Sequence, residues 1–477
     1  MSSLQFGIFD WVLVALYFAL LVGLTWRREW GEEDEETFLL SGRKMSLAAF
    51  VATLVSTWYG GILGVGEYSY QFGISQWLLF GLPFYIFSAL FAWLLAGRIR
   101  MNKALSLPEA VGNFYGERAG RVSAVPIFVL VSPAPYILML GLIFQYLTGG
   151  AGHFLWYASA VALFSVAYVT FGGFNAVVRT DALQIALMFG GFVMVIAYAW
   201  GDFGSPLRLW EAVPDTYRDL TGGQDLQYIL VWFFIALWTF VDPSFHQRAA
   251  AAKSPATARK GIFISILLWS VFDLLTLTAG MYAWAILGPD LSEPVMAYPY
   301  LANEILPAGA LGVFFVALLA TIMSTLDSYL FLSGQTLGRD LLVKIFPGIP
   351  NNRLTRIGTL AAALLGIALI IVYPSVIDLW YVIGSVMIPG LLLPVLGVYL
   401  PFFAMKKGWV LPLMLGSIGI SLGWLVLGTL ANTGAYDYTF LGVEPFYPGL
   451  AASVLFWLGG RSKGGGLEVR ESLREEG

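Results

Sequence analysis

The stretch VFFVALLATIMSTLDSYLFLSGQTLGRDLL (Val313–Leu342) reads as an apolar helix that carries Thr321, Ser324, Thr325, Asp327 and Ser328 at membrane depth. On a helix, residues three and four apart share a face. Thr321, Ser324, Thr325 and Ser328 therefore fall within about 100° of one another, with Asp327 beside them. One side of such a helix presents several oxygens. Hydroxyls in apolar helices commonly bond back to the carbonyl one turn earlier and glue helices together. A carboxylate at the same depth is costly and is by default a mark of function. The rest of the chain must supply a partner for this face.

The elements that would position it are membrane helices. The chain has 477 residues, 58% of them hydrophobic and 12% charged, with a mean hydropathy of +0.76. Apolar runs of about 20 residues recur along its whole length, the pattern of an all-α polytopic membrane protein. Hydropathy with turn and charge punctuation predicts about 13 spans: 8–28, 46–72, 77–98, 121–148, 153–171, 180–201, 227–247, 261–287, 309–337, 354–373, 376–403, 409–430 and 446–460. With the N-terminus outside, 24 of the 26 basic residues, Arg248 among them, fall on the inner side, and only Arg208 and Arg218 fall outside. That asymmetry is the positive-inside pattern, so the C-terminus is expected in the cytoplasm and the protein in the plasma (inner) membrane. The first run, Phe9–Trp26, lacks a basic start and a small-residue cleavage site and reads as a retained helix. The acidic run Gly31–Phe38 reads as a solvated linker, and the Gly-rich segment 461–477 as a disordered cytoplasmic tail.

Cysteine is absent, which excludes disulfides, thiolate metal sites and cysteine nucleophiles. The two histidines, His153 and His246, are too far apart for a local metal motif, and neither HExxH nor GxxxxGK[ST] occurs. Two spans look interrupted. The second carries Ser56, Thr57, Gly60, Gly61, Gly64 and Gly66 at its middle; the seventh carries Asp242 before Pro243, which removes a helix hydrogen bond and disfavours helix at the aspartate. Interruptions at corresponding positions of two halves point to an inverted-repeat transporter with its ligands at the breaks. The division that follows is 1–45, first helix and inner loop; 46–201, repeat 1; 202–226, outer loop; 227–405, repeat 2; 406–460, two further spans; and 461–477, tail.

The chain resembles the solute:sodium symporters, the family of the sodium/proline, sodium/glucose and sodium/pantothenate carriers. The resemblance lies in FLLSGRKMS (Phe38–Ser46), YVTFGGFNAVVRTDALQ (Tyr168–Gln184), HQRAAAAKSPATARKG (His246–Gly261) and the ATIMSTLDS…GRDLL stretch already described. It implies a five-plus-five inverted repeat of the LeuT type, with sodium as coupling ion between the second and ninth spans. Its ligands by resemblance are the carbonyls of Leu54, Thr57 and Thr321 and the hydroxyls of Ser324 and Thr325. A hard monovalent cation suits such an all-oxygen set. Asp181 matches the family's Thr-Asp aspartate, either a station on the sodium exit path or a helix cap or partner of Arg179. Asp327 is a second candidate for that path, or a salt-bridged structural residue.

For the solute, sugar carriers of the family use an Asn-Gln-Glu-rich second span where this chain reads STWYGG, and the proline carrier has an aspartate where Ser56 stands. Neither substrate is implied. Ser56, Trp58, Tyr59, Glu67, Trp238, Thr239 and Asp242 are the pocket candidates. The function expected is sodium-coupled import of a small polar organic solute, from the amino acid, sugar or carboxylate classes, by alternating access. Its partners are that solute and the lipid bilayer, with no nucleic acid, in a monomer or weak oligomer. A proton-coupled carrier using Asp181, Asp327 or Asp242 is the alternative, and a non-transporting sodium sensor is disfavoured by the short tail. Enzyme activity is not expected: GRD at Gly338–Asp340 is not the GxGD of intramembrane aspartyl proteases.

Overall fold

The computed structural model describes residues 4–25, 35–432 and 437–461. Arg27, Arg28, the first part of the acidic run and the tail after Arg461 lie outside the described residues. Among those described, the chain is helical, with eleven helices long and apolar enough to span a membrane and two shorter apolar ones, Phe154–Thr170 and Phe446–Gly460. The 13 segments anticipated from hydropathy are all present. Lipid offers backbone groups no partner, so apolar runs of this length have no alternative to helix.

The main helices are α1 (Ile8–Thr25), α2 (Leu47–Trp58), α3 (Ile62–Phe72), α4 (Leu82–Phe91), α5 (Glu117–Leu130) and α6 (Ala134–Leu147). They continue as α7 (Phe154–Phe203), α8 (Leu226–Ile235), α9 (Pro243–Ala251), α10 (Pro255–Leu287) and α11 (Ala310–Gln335). The last are α12 (Asn351–Val372), α13 (Val376–Tyr399), α14 (Lys407–Ala431) and α15 (Phe446–Gly460). At the centre stands α11. Apart from its first residue and Val313, every residue from Leu311 to Gln335 is buried, so no face of it meets lipid. A helix surrounded by helices carries no amphipathic stripe, and its polar residues must be satisfied by neighbours.

Both anticipated breaks are present. The second span is α2 and α3 joined by a tight 3-10 turn, Tyr59–Gly61. The glycines there are required by proximity: a Cβ on Gly60 would lie 2.1 Å from Thr325 Oγ1, and one on Gly61 1.9 Å from the Trp380 ring. The seventh span breaks at Asp242, which is extended (φ −72°, ψ 114°), and Pro243 opens α9. Asp242 Oδ1 accepts from the Ser244 amide at 2.7 Å and caps the new helix. An earlier irregularity at Ala236–Leu237, between α8 and the single turn Trp238–Val241, was not anticipated.

Three expectations need correction. The segment 172–179 is not a loop: within α7 two helices meet at a sharp kink at Gly173 (φ 61°, ψ −174°), where only glycine fits both the angle and the Phe38 ring 2.8 Å from its would-be Cβ, and the sixth span is helical from there on. The fourth span is split at 131–133 into α5 and α6, next to Pro133 and Pro135. Arg248 is not an inner-loop base. Because α9 continues to Ala251, the arginine is carried into the protein and is fully buried.

One contact fixes the central helix from the first one. Asp10 of α1 is buried, and its Oδ1 accepts from the amides of Gly309 at 2.7 Å and Gly312 at 2.8 Å, capping the start of α11. At the other end, Arg43 of the SGRK element donates to the carbonyls of Asn102 and Lys103, each at 2.9 Å, fastening the segment before α2 to the end of the third span.

Candidate functional site

Where α11 crosses the α2–α3 turn, the Thr325 hydroxyl donates to the Thr57 carbonyl at 2.6 Å. One residue earlier, the Ser324 hydroxyl donates to Asp181 Oδ1 at 2.6 Å. Asp181, on α7, is wholly buried and also accepts from the Thr53 hydroxyl. Three of the residues predicted to meet sodium, together with Asp181, thus converge on one spot from three helices. Thr321 lies one turn away, its hydroxyl returned to Ala317 O at 2.7 Å. Leu54, one turn before Thr57, has its side chain in the core.

The partner of Asp181 is not Arg179, which is exposed, but Arg248, whose Nη2 lies 3.8 Å from Oδ2. The same guanidinium donates to Thr57 Oγ1 at 2.6 Å, to Ser328 Oγ at 3.0 Å and to Thr53 Oγ1 at 3.0 Å, and sits 5.6 Å over the Phe174 ring. Sequence reasoning missed Arg248 and Thr53. The signal for the arginine was Pro243: a helix restarted there has not ended five residues later. Asp327 faces elsewhere, accepting from the Tyr168 hydroxyl with Oδ2, while Oδ1 has no hydrogen-bond partner among the described residues. No salt bridge to Asp327 occurs among the described residues.

On the other side of the α2–α3 turn lies a cavity of about 100 Å³, bounded by the α8–α9 interruption and by α13. Of the seven pocket candidates, Trp58, Tyr59, Trp238 and Asp242 line it. Ser56, Glu67 and Thr239 are not in its wall: Ser56 returns its hydroxyl to Ala52 O at 2.9 Å, Thr239 is buried and Glu67 is half-buried. Asp273 of α10 and Trp380 of α13 are lining residues that the sequence reading did not single out. Each stands alone in its span, with no neighbouring motif to draw attention to it.

Two interrupted helices, a knot of hydroxyls, a carbonyl, a carboxylate and a guanidinium on one side of the break and an aromatic cavity on the other form the arrangement of an ion-coupled carrier. The family model described as "Sodium:solute symporter family" matches residues 38–400. The chain belongs to that family. Family membership carries the activity: sodium-coupled symport of small solutes across a membrane, with Na+ as coupling ion, and not enzymatic chemistry. Among curated relatives, the sodium/glucose cotransporter of Vibrio parahaemolyticus is 24% identical over 78% of this chain and 75% of its own length. The sodium/pantothenate symporter of Escherichia coli (strain K12) is 26% identical over 65% of each. In solved structures, the substrate-bound, outward-open state of a Na+-coupled sialic acid symporter superposes with a TM-score of 0.78 at 15% identity, covering 97% of this chain and 98% of that one. Mhp1, a nucleobase-cation-symport-1 family transporter in a closed conformation, follows with a TM-score of 0.58 at 12% identity, covering 90% and 94%. At those identities the likeness is one of fold, and the fold is that of the LeuT-type transporters.

Proposed function

We propose that this symporter binds its coupling sodium between α2 and α11, at the carbonyls of Leu54, Thr57 and Thr321 and the hydroxyls of Ser324 and Thr325. Asp181 serves as the next station on the sodium path, and the aromatic cavity holds the solute. The observation that carries this reading is the Thr325 hydroxyl on the Thr57 carbonyl: a hydroxyl and a carbonyl oxygen 2.6 Å apart at a helix break can be shared by a hard cation. Ser324 links that spot to the Asp181 carboxylate, so an ion leaving the first site meets an acid one residue away, which it would share with Arg248. The donors are all oxygen, which fits sodium and does not suit a softer metal. The same turn bounds both sites, so ion occupancy can bias the wall of the solute cavity, the reciprocity that coupling requires. Residues 46–201 and 227–405 act as the two repeats, working as a monomer or weak oligomer in the plasma membrane with the N-terminus outside.

Sodium titrations of solute uptake test the assignment. Deleting one of about five oxygens costs on the order of 1–3 kcal/mol, so Ser324→Ala and Thr325→Val should raise the half-saturating sodium concentration about 5- to 150-fold. Thr325→Ser, which keeps the hydroxyl, should be mild. Parental titrations in the first two variants would put the sodium elsewhere. Orientation is tested separately by single cysteines at Ser2 and Ser472, which should label from opposite sides of intact cells; labelling from one side defeats the odd span count.

A further inference from the structure

The wall of the solute cavity has an unusual chemistry. Nine of its 14 lining residues are aromatic, four of them the tryptophans Trp58, Trp232, Trp238 and Trp380; two are aspartates, Asp242 and Asp273; the other three are Gly61, Val65 and Ile235. No Lys, Arg or His, and no Ser, Thr, Asn or Gln, lines it. The rings interlock edge to face, Trp58 on Phe84 at 4.9 Å and Phe80 on Trp232 at 4.8 Å, so the box is stiff before anything enters it.

Asp273 is 3% exposed and accepts from the Tyr85 hydroxyl; Asp242 is buried and accepts from the Ser244 amide and, at 3.2 Å, from the Tyr329 hydroxyl. Among the described residues neither carboxylate has a basic side chain within 4.0 Å. The buried cation nearest in the chain to Asp242, Arg248, acts on it through space without a contact within 4.0 Å, and gives its short contacts to Asp181 and the hydroxyls around it. Asp273 is held from the other side by the π-helical turn Trp77–Gly81, where a Cβ on Gly81 would come 3.0 Å from its Oδ2. Two carboxylates at membrane depth without a base in contact are costly and leave room for a cation from outside the protein.

Other solute classes fit this wall poorly. An anion would meet two carboxylates and no base. A sugar needs a hydrogen-bond partner for each hydroxyl, yet no side-chain amide or aliphatic hydroxyl lines the cavity, and the Tyr59 hydroxyl is already given to Trp269 O at 2.8 Å. An alkylammonium group needs little from hydrogen bonds: it takes aromatic faces and a nearby negative charge. We propose that the solute is a small organic cation of the alkylammonium class, its head held among Trp58, Trp238 and Trp380 between the carboxylates of Asp242 and Asp273. The assignment rests on the reading of this cavity as the solute site of a sodium-coupled carrier.

The test is thermal unfolding of the purified full chain with choline, L-proline, D-glucose or propionate, each in sodium and in equimolar potassium. Choline should raise Tm in sodium, and the other three should not. Asp273→Asn should weaken the choline response roughly tenfold or more, while Asp273→Glu retains most of it. Absence of a choline shift in sodium, or a shift with proline, glucose or propionate instead, overturns the cation assignment and leaves the symport reading standing. A choline shift of equal size in sodium and potassium supports the cation and counts against the coupling. If Asp273→Asn does not survive purification, a choline titration of Trp238→Leu decides: an unchanged half-saturation overturns the proposal.

Discussion

The two faces of the α2–α3 turn are opposites in the way they handle polarity. On the Thr325 side, hydroxyls, a carboxylate and a guanidinium close on one another: Arg248 alone donates to Thr53, Thr57 and Ser328 while pairing with Asp181. On the Trp380 side, two carboxylates are braced by hydroxyls and an amide but lack a base, and the Trp238 indole N–H has no partner among the described residues. The first face is internally neutralised and can open by exchanging one oxygen partner for an ion. On the proposed assignment the second keeps spare capacity for a guest. That difference suits a carrier, since the proposed ion site must release its cargo readily while the proposed solute site must discriminate.

The sharpest way to break the comparison is to remove Arg248. If the polar knot is internally neutralised, Arg248→Met leaves the Asp181 carboxylate buried without its cation, at a cost of about 3–5 kcal/mol. Thermal unfolding in detergent should show a large fall in Tm, and Arg248→Met with Asp181→Leu should recover much of it. A single variant as stable as the parent would mean that the arginine neutralises nothing.

A milder cut separates the two faces. Gly60→Ala drives a methyl at Thr325 and Gly61→Ala drives one at Trp380, each an overpacking of about 1–3 kcal/mol. Gly60→Ala should raise the half-saturating sodium with solute affinity at saturating sodium little changed, and Gly61→Ala should do the reverse. Identical effects from both alanines would show that the turn is one rigid unit without two sides. The smallest effect is expected at Pro243. Because it stands at the first position of α9 and Asp242 caps that helix, Pro243→Ala should cost under about 1 kcal/mol and keep most of the uptake. Abolished uptake would mean that the proline, rather than the cap, maintains the break.

How far the sequence could be read follows the same division. Span count was legible because lipid leaves apolar segments a single backbone solution, and Ser324 and Thr325 were legible because helical spacing gathers hydroxyls on one face without any tertiary information. The wall of the aromatic cavity was legible only in part. Trp58, Tyr59, Trp238 and Asp242 line the cavity, whereas Glu67 and Thr239 do not, because the 3-10 turn at Tyr59–Gly61 and the irregularity at Ala236–Leu237 rotate the faces that follow them, and Ser56 turns its hydroxyl back to Ala52 O. Arg248 was misplaced because its neighbourhood in the chain is basic, and chain neighbourhood was all that the charge rule could see. Asp273 was passed over because its meaning depends on Tyr85 and Gly81, in another span.

Asp10 bears on how the molecule is made. Its Oδ2 takes the Gly7 amide next door, but its Oδ1 is satisfied by amides some 300 residues downstream, at Gly309 and Gly312. During synthesis α1 therefore enters the membrane with that acceptor still waiting, and the amides that complete it emerge only when α11 is translated. The first helix and the central one are joined across most of the chain, so the interior cannot be sealed by growing outward from the N-terminus. Docking of α11 onto α1 is a late event of assembly, and a chain truncated before Gly309 would leave the ribosome with its first helix still lacking the partner that holds its acid.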